Sequence, residues 1–143
     1  MSKKLQGGCA CGAIRFEIEP KTLFAYNCHC RACQQFTGSA YMSASMIPAE
    51  NFKLLAGEPK AYTVTADSGG QITRHFCGTC SSPLYASFTR MPDRVAIVAA
   101  SLDDPATHKP TLDLFVSRAQ PWDFMNPALV KFPQGSPRRE IPS

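Results

Sequence analysis

The sequence predicts a mainly β fold of antiparallel strands with one short helix, and three observations carry that expectation. Short segments in which apolar and polar side chains alternate recur along the chain. Glycines and prolines separate them as turns. Only one stretch, residues 31–37, has a helical pattern, which favours strands paired with their sequence neighbours over an alternating α/β architecture.

At 143 residues the chain suits a single domain over 1–133, long enough to bury a core without disulfide staples. Hydrophobic residues at 44% and charged residues at 18% exclude general disorder. Past Phe132 the composition turns to proline, glycine, serine and arginine, so 134–143 is expected to be a loosely ordered tail.

In order along the chain, residues 12–18 predict a half-buried strand after a break at Gly7-Gly8, because Ile14, Phe16 and Ile18 alternate with Arg15 and Glu17. Glu19-Pro20-Lys21 is a turn, and residues 23–27 form a second strand that runs into a dense group of cysteines. The helix over 31–37 is stopped by Gly38. Residues 40–47 alternate again and end at Pro48, 49–55 fit either a helical turn or a strand, and Gly57-Glu58-Pro59 is a loop. Residues 60–65 and 71–77 flank the polar Ala66-Asp67-Ser68-Gly69-Gly70 and predict a hairpin. A strand over 82–88 follows. Residues 94–100 are almost wholly apolar, as in a central strand covered on both faces, with a buried helix as the alternative that periodicity leaves open. A last strand over 112–117 and a segment at Pro121-Trp122 with Phe124 are expected to close over the core, and no internal repeat is visible.

The cysteines organise the chain. Three fall within Cys28-His29-Cys30-Arg31-Ala32-Cys33, and the other four form the pairs Cys9-Ala10-Cys11 and Cys77-Gly78-Thr79-Cys80. An odd total of seven cannot be fully paired as disulfides within one chain, so metal or redox chemistry explains them better. A structural zinc takes four ligands in a closed tetrahedron, whereas a catalytic zinc keeps three protein ligands and an open position. Pairing the outer couples therefore assigns Cys9, Cys11, Cys77 and Cys80 to a structural zinc and leaves Cys28, Cys30 and Cys33 as a reactive group. Extended backbone would point Cys9 and Cys11 to one side, and Gly78 frees the second pair for a knuckle-like turn. Helix amides near Cys30 and Cys33 favour their thiolates.

Other side chains read more plainly. His29 is a packing or surface residue, with His29 or His75 completing a saturated trio site as the alternative, and His108 reads as solvated. Arg31 and Arg74 read as surface ion-pair partners, with substrate carboxylates as the other option. Asp103 and Asp104 are neighbours that face apart, so they cap a loop and form no acid-base couple. The net charge of +4 is scattered without a basic stripe, which disfavours nucleic acid. The opening residues carry no apolar segment and the longest apolar run falls far short of the ~20 residues of a membrane span, so a cytoplasmic protein with no membrane partner is expected.

Together, Gly8-Cys9-Ala10-Cys11-Gly12, Cys28-His29-Cys30-Arg31-Ala32-Cys33-Gln34 and His75-Phe76-Cys77-Gly78-Thr79-Cys80 resemble the glutathione-dependent formaldehyde-activating enzyme family, which includes centromere protein V. Phe115-Val116 and Pro121-Trp122 echo the way its members close. The resemblance implies a β-tent zinc fold, a structural zinc on Cys9, Cys11, Cys77 and Cys80, and a second, more labile zinc on Cys28, Cys30 and Cys33. It also implies glutathione as co-substrate and formaldehyde or another small aldehyde as its partner, joined as S-hydroxymethylglutathione, formally a carbon-sulfur lyase run in reverse. One departure is Ser81, where the family usually has glycine. Three thiolates on zinc leave the centre with a charge of about −1, which disfavours water activation and favours an incoming thiol. A metal-free trio exchanging disulfides with a thiol is the alternative. The rival from another class is a non-enzymatic zinc module that binds protein or nucleic acid, and homo-oligomerisation stays open.

Overall fold

The computed structural model describes residues 3–66 and 69–135. The first strand of the described residues, β1 (Leu5–Gly8), pairs antiparallel with β2 (Arg15–Ile18). The sequence places a break at Gly7-Gly8, but glycine is used here for close approach. A Cβ on Gly7 would stand 2.6 Å from the Phe16 ring and crowd the Ser101 carbonyl, so only a bare backbone lies this near both.

β3 (Phe24–Cys28) leads into α1 (Arg31–Thr37), which ends at Gly38 in the left-handed conformation, φ +68°. β4 (Met42–Pro48) follows. The ambiguous stretch after it is both things in turn, a 3-10 turn over Ala49–Asn51 and then β5 (Phe52–Ala56). β6 (Lys60–Thr65) and β7 (Gln71–Phe76) form the expected hairpin, closed by a hydrogen bond from Ala66 N to Gly70 O, while residues 67–68 of its connection lie outside the described residues. β8 (Pro83–Phe88) and β9 (Arg94–Val98) complete the meander.

β10 (Leu112–Leu114) and β11 (Val130–Lys131) run parallel to their neighbours. The strand expected over 112–117 stops at Leu114 because Phe115 turns left-handed, φ +57°, into a 3-10 turn at Val116–Arg118. β11 carries no pattern of its own at two residues. It is held by β10 and by the amide of Phe132 donating to Asp113 O.

The strands form a three-stranded sheet, β1-β2-β5, and an eight-stranded mixed sheet, β11-β10-β3-β4-β9-β8-β7-β6. β9 is covered on both faces, as its apolar run predicts. Val95 and Ile97 join a cluster with Phe16, Ile18 and Leu84 between the sheets, whereas Ala96 and Val98 join Tyr26, Met42 and Met46 on the other face, where α1 packs. Each face carries one group of cysteines: Cys9 and Cys77 border the first cluster, Cys28 and Cys33 the second.

The segment expected to close over the core does the opposite with its aromatic residues. Trp122 is 68% exposed and Phe124 fully exposed, and the side chain turned inward is Asp123 between them. Of the expected tail, Gln134 is tied in by the Phe115 amide, and residues 136–143 lie outside the described residues. No described helix is long and apolar enough to cross a membrane.

Candidate functional site

Two groups of sulfurs converge, and they are the two that the spacing predicts. Cys9, Cys11, Cys77 and Cys80 bring their Sγ atoms within 4.8 Å of one another, and so do Cys28, Cys30 and Cys33. No disulfide joins them. Four sulfurs at zinc's ~2.3 Å bond length would stand about 3.8 Å apart at the corners of a tetrahedron. The closest contacts here are 3.6 Å for Cys9–Cys11, 3.7 Å for Cys11–Cys77 and 3.5 Å for Cys28–Cys30, so both groups have the dimensions to hold a metal.

The first group forms by local turns. Cys9 and Cys11 lie on a turn between β1 and β2, not on the extended backbone that the sequence suggests; the Gly12 amide donates to Cys9 O and the Ile14 amide to Cys9 Sγ at 3.2 Å. On the other side, the amides of Thr79 and Cys80 both donate to Cys77 Sγ at 3.4 Å. Amides aimed at sulfur favour the thiolate that a metal requires. The Ser82 hydroxyl joins the halves, accepting from Ala10 N and lying 3.2 Å from Cys80 Sγ. Hydrogen bonding to Ser82 is the main cause that pulls the Cys80 thiol down to about 5. Ser81 leaves this turn with φ +65°, a conformation that costs a residue bearing a side chain.

The second group sits where β3 meets α1. Cys28 closes the strand, Cys30 is the N-cap of the helix and accepts the Cys33 amide at 3.3 Å, and Cys33 lies one turn in. Cys28 and Cys33 are buried; Cys30 alone is partly exposed. Hydrogen bonds from the Cys28 and Cys33 thiols, with the Cys33 amide, pull Cys30 far below its ordinary value, while Cys28 is pushed well up. Cys30 is therefore the member of the trio whose thiolate the surroundings favour most.

Arg74 is the residue that sequence reasoning placed wrongly. Instead of a surface ion pair it is 5% exposed, with Nη2 3.5 Å from Cys33 Sγ and its guanidinium over the Phe36 ring at 5.1 Å. A signal existed: Ile72 and Phe76, two residues to either side on β7, put Arg74 on an apolar face. Arg31 instead donates to the Gln34 side chain at 2.6 Å.

No histidine completes the trio. His29 is fully buried, and its two ring nitrogens face Asp113 Oδ1 at 2.8 Å and Asp123 Oδ2 at 2.5 Å, which leaves none for a metal. Lys131 donates to the same Asp113 and Asn27 supports it. His75 stacks on Tyr85 and meets Ser87. His108 is half-buried between the hydroxyls of Ser43 and Ser45 rather than solvated. Asp104 caps a 3-10 turn and Asp103 binds Arg15 with both oxygens, so they form no acid-base couple.

Residues 4–118 match the model of a family described as glutathione-dependent formaldehyde-activating enzyme. The chain is similar to a protein of Halomonas elongata named putative glutathione-dependent formaldehyde-activating enzyme, 26% identical over 110 residues that cover 74% of this chain and 70% of that one. Among solved structures it resembles a crystal structure of a Rhodobacter sphaeroides protein, with a TM-score of 0.58 and 21% identity over 72% of this chain and 94% of the other, a likeness of fold alone.

Proposed function

Because the chain belongs to the glutathione-dependent formaldehyde-activating enzyme family, we propose that it joins the thiol of glutathione to a small aldehyde such as formaldehyde, or reverses that addition, as a carbon-sulfur lyase or synthase. In this reading Cys9, Cys11, Cys77 and Cys80 hold a structural zinc, and Cys28, Cys30 and Cys33 hold a second, exchangeable one. The supporting observation is the number of ligands: four sulfurs converge in the first group, whereas three converge in the second and no fourth ligand joins them among the described residues.

With zinc bound, the trio would supply a soft, electron-rich centre that takes an exogenous thiol as its thiolate more readily than it activates water. The chain's own residues prepare that position. The Cys33 amide stabilises negative charge on Cys30, the sulfur nearest solvent. Arg74 sets a fixed positive charge against Cys33 and so offsets part of the excess negative charge of three thiolates. The His29 clamp fixes the peptide between Cys28 and Cys30 from behind. In the addition, the glutathione thiol gives its proton to water, its sulfur attacks the carbonyl carbon, the C–S bond forms as the carbonyl π pair moves to oxygen, and that oxygen takes a proton back from water, so no net proton is consumed. Release is the same path in reverse.

Exchange NMR on glutathione and formaldehyde, with the spontaneous rate subtracted, tests this reading. The protein should speed exchange between adduct and free thiol, and Cys30→Ser should abolish the increment. A Cys30→Ser protein that binds glutathione and speeds exchange like the parent would remove the trio from the chemistry, and a parent indifferent to glutathione would favour a non-enzymatic module.

A further inference from the structure

Behind Arg74 lies a cavity that neither group of cysteines accounts for. It measures about 420 Å³ and opens between α1 and the β6–β7 hairpin. Its walls are mostly apolar and aromatic, formed by Phe36, Tyr62, Val64 and Phe76, and its single charged group among the described residues is Arg74. That guanidinium faces two ways, lining the cavity while its Nη2 lies against Cys33.

The geometry points to a subsite for the apolar group of a larger aldehyde, aromatic or branched, beside the trio. The inference rests on the thiol and aldehyde chemistry proposed above and names the kind of aldehyde. Three arguments choose this occupant. Formaldehyde is little larger than a water, whose share of liquid volume is ~30 Å³, so it leaves this space unfilled. Glutathione carries two carboxylates and an ammonium group, and among the described residues the cavity offers one cation and no anion to meet them. An apolar group, by contrast, gains from burial against aromatic walls, and Arg74, which lines the cavity and lies 3.5 Å from Cys33 Sγ, is the residue that joins it to the trio.

The test uses benzyl alcohol, which has the ring but no carbonyl, and a pair of aldehydes, benzaldehyde and formaldehyde, with glutathione. Val64→Trp fills the cavity from an edge strand; Tyr62→Ala opens it at a residue 65% exposed, where loss of folding is not expected and melting curves check it. Saturation-transfer NMR should show benzyl alcohol bound to the parent protein and not to Val64→Trp. The ratio of kcat/KM for benzaldehyde over formaldehyde should fall at least about tenfold in Val64→Trp and fall in Tyr62→Ala. No transfer to the parent, equal transfer to Val64→Trp, or an unchanged ratio in both variants overturns the subsite. Displacement of benzyl alcohol by glutathione alone also overturns it, since the tripeptide would then occupy the cavity. If the parent turns over neither aldehyde yet binds benzyl alcohol in a way Val64→Trp abolishes, the thiol and aldehyde reading fails and the apolar subsite stands.

Discussion

His29 Nε2 stands 2.8 Å from Asp113 Oδ1, with each side chain only 1% exposed. The peptide joining Cys28 to Cys30 is thus anchored by a buried polar contact from β10, a strand that lies 84 residues further along. Asp113 also accepts from Lys131 and Asn27. Asp113→Asn should therefore cost about 2–4 kcal/mol, because it leaves buried donors without their charged acceptor. Urea unfolding of the metal-loaded protein measures this.

The same carboxyl sets an acid limit. Burial alone would push Asp113 up, but the hydrogen bonds from His29, Lys131 and Asn27 outweigh it and hold the group below its ordinary value. A carboxyl depressed in the folded state contributes stability that is present above the unfolded value, about 3.9, and lost as pH falls through the folded one. Stability should drop below about pH 4, and in Asp113→Asn this part of the slope should be missing.

Trp122 and Asp123 are adjacent in sequence and opposite in role. Trp122→Ala should change stability by less than about 0.5 kcal/mol, whereas Asp123→Ala should cost about 1–3 kcal/mol through the orphaned His29 nitrogen. Equal losses would mean that the indole covers the core after all. Asp123 and Lys131 both lie beyond residues 4–118, so half of the His29 clamp comes from outside the family match.

Ser81 takes φ +65° at the exit of the Cys77–Cys80 turn. Ser81→Gly should raise stability by about 0.5–1 kcal/mol, the relief of left-handed strain less the extra chain entropy of glycine. Thermal melting with zinc present reads the sign.

Local features of this chain were legible in its sequence and distant partnerships were not. The helix from Arg31 with its Gly38 stop, the hairpin of β6 and β7 and both sulfur groups follow from spacing alone, because turn residues and ligands act on near neighbours. β1 hides behind Gly7-Gly8, since its reason is the Phe16 ring on the next strand. The parallel pairing of β10 with β3 and the convergence of Asp113 and Asp123 on His29 depend on a return of the chain that no local period encodes. Asp113, between Leu112 and Leu114 in β10, is buried as well, so alternation of charged and apolar residues does not mark a solvent face there.

Arg74 offers a test of what supports the trio. Arg74→Met keeps bulk against Phe36 but removes the charge beside Cys33, and zinc affinity of the second group should fall about tenfold while that of the first is unaffected. Competition with a chromophoric chelator resolves the two.

The central claim is that the two sulfur groups differ in kind, one closed and one open. Metal counting on the native protein and on the Cys28→Ser, Cys30→Ser and Cys33→Ser variants, with and without glutathione, tests it most directly. The account predicts about two zinc ions per chain, about one in each variant, and a second ion whose retention responds to glutathione. A single ion per chain, unchanged by those variants and by the thiol, would contradict it.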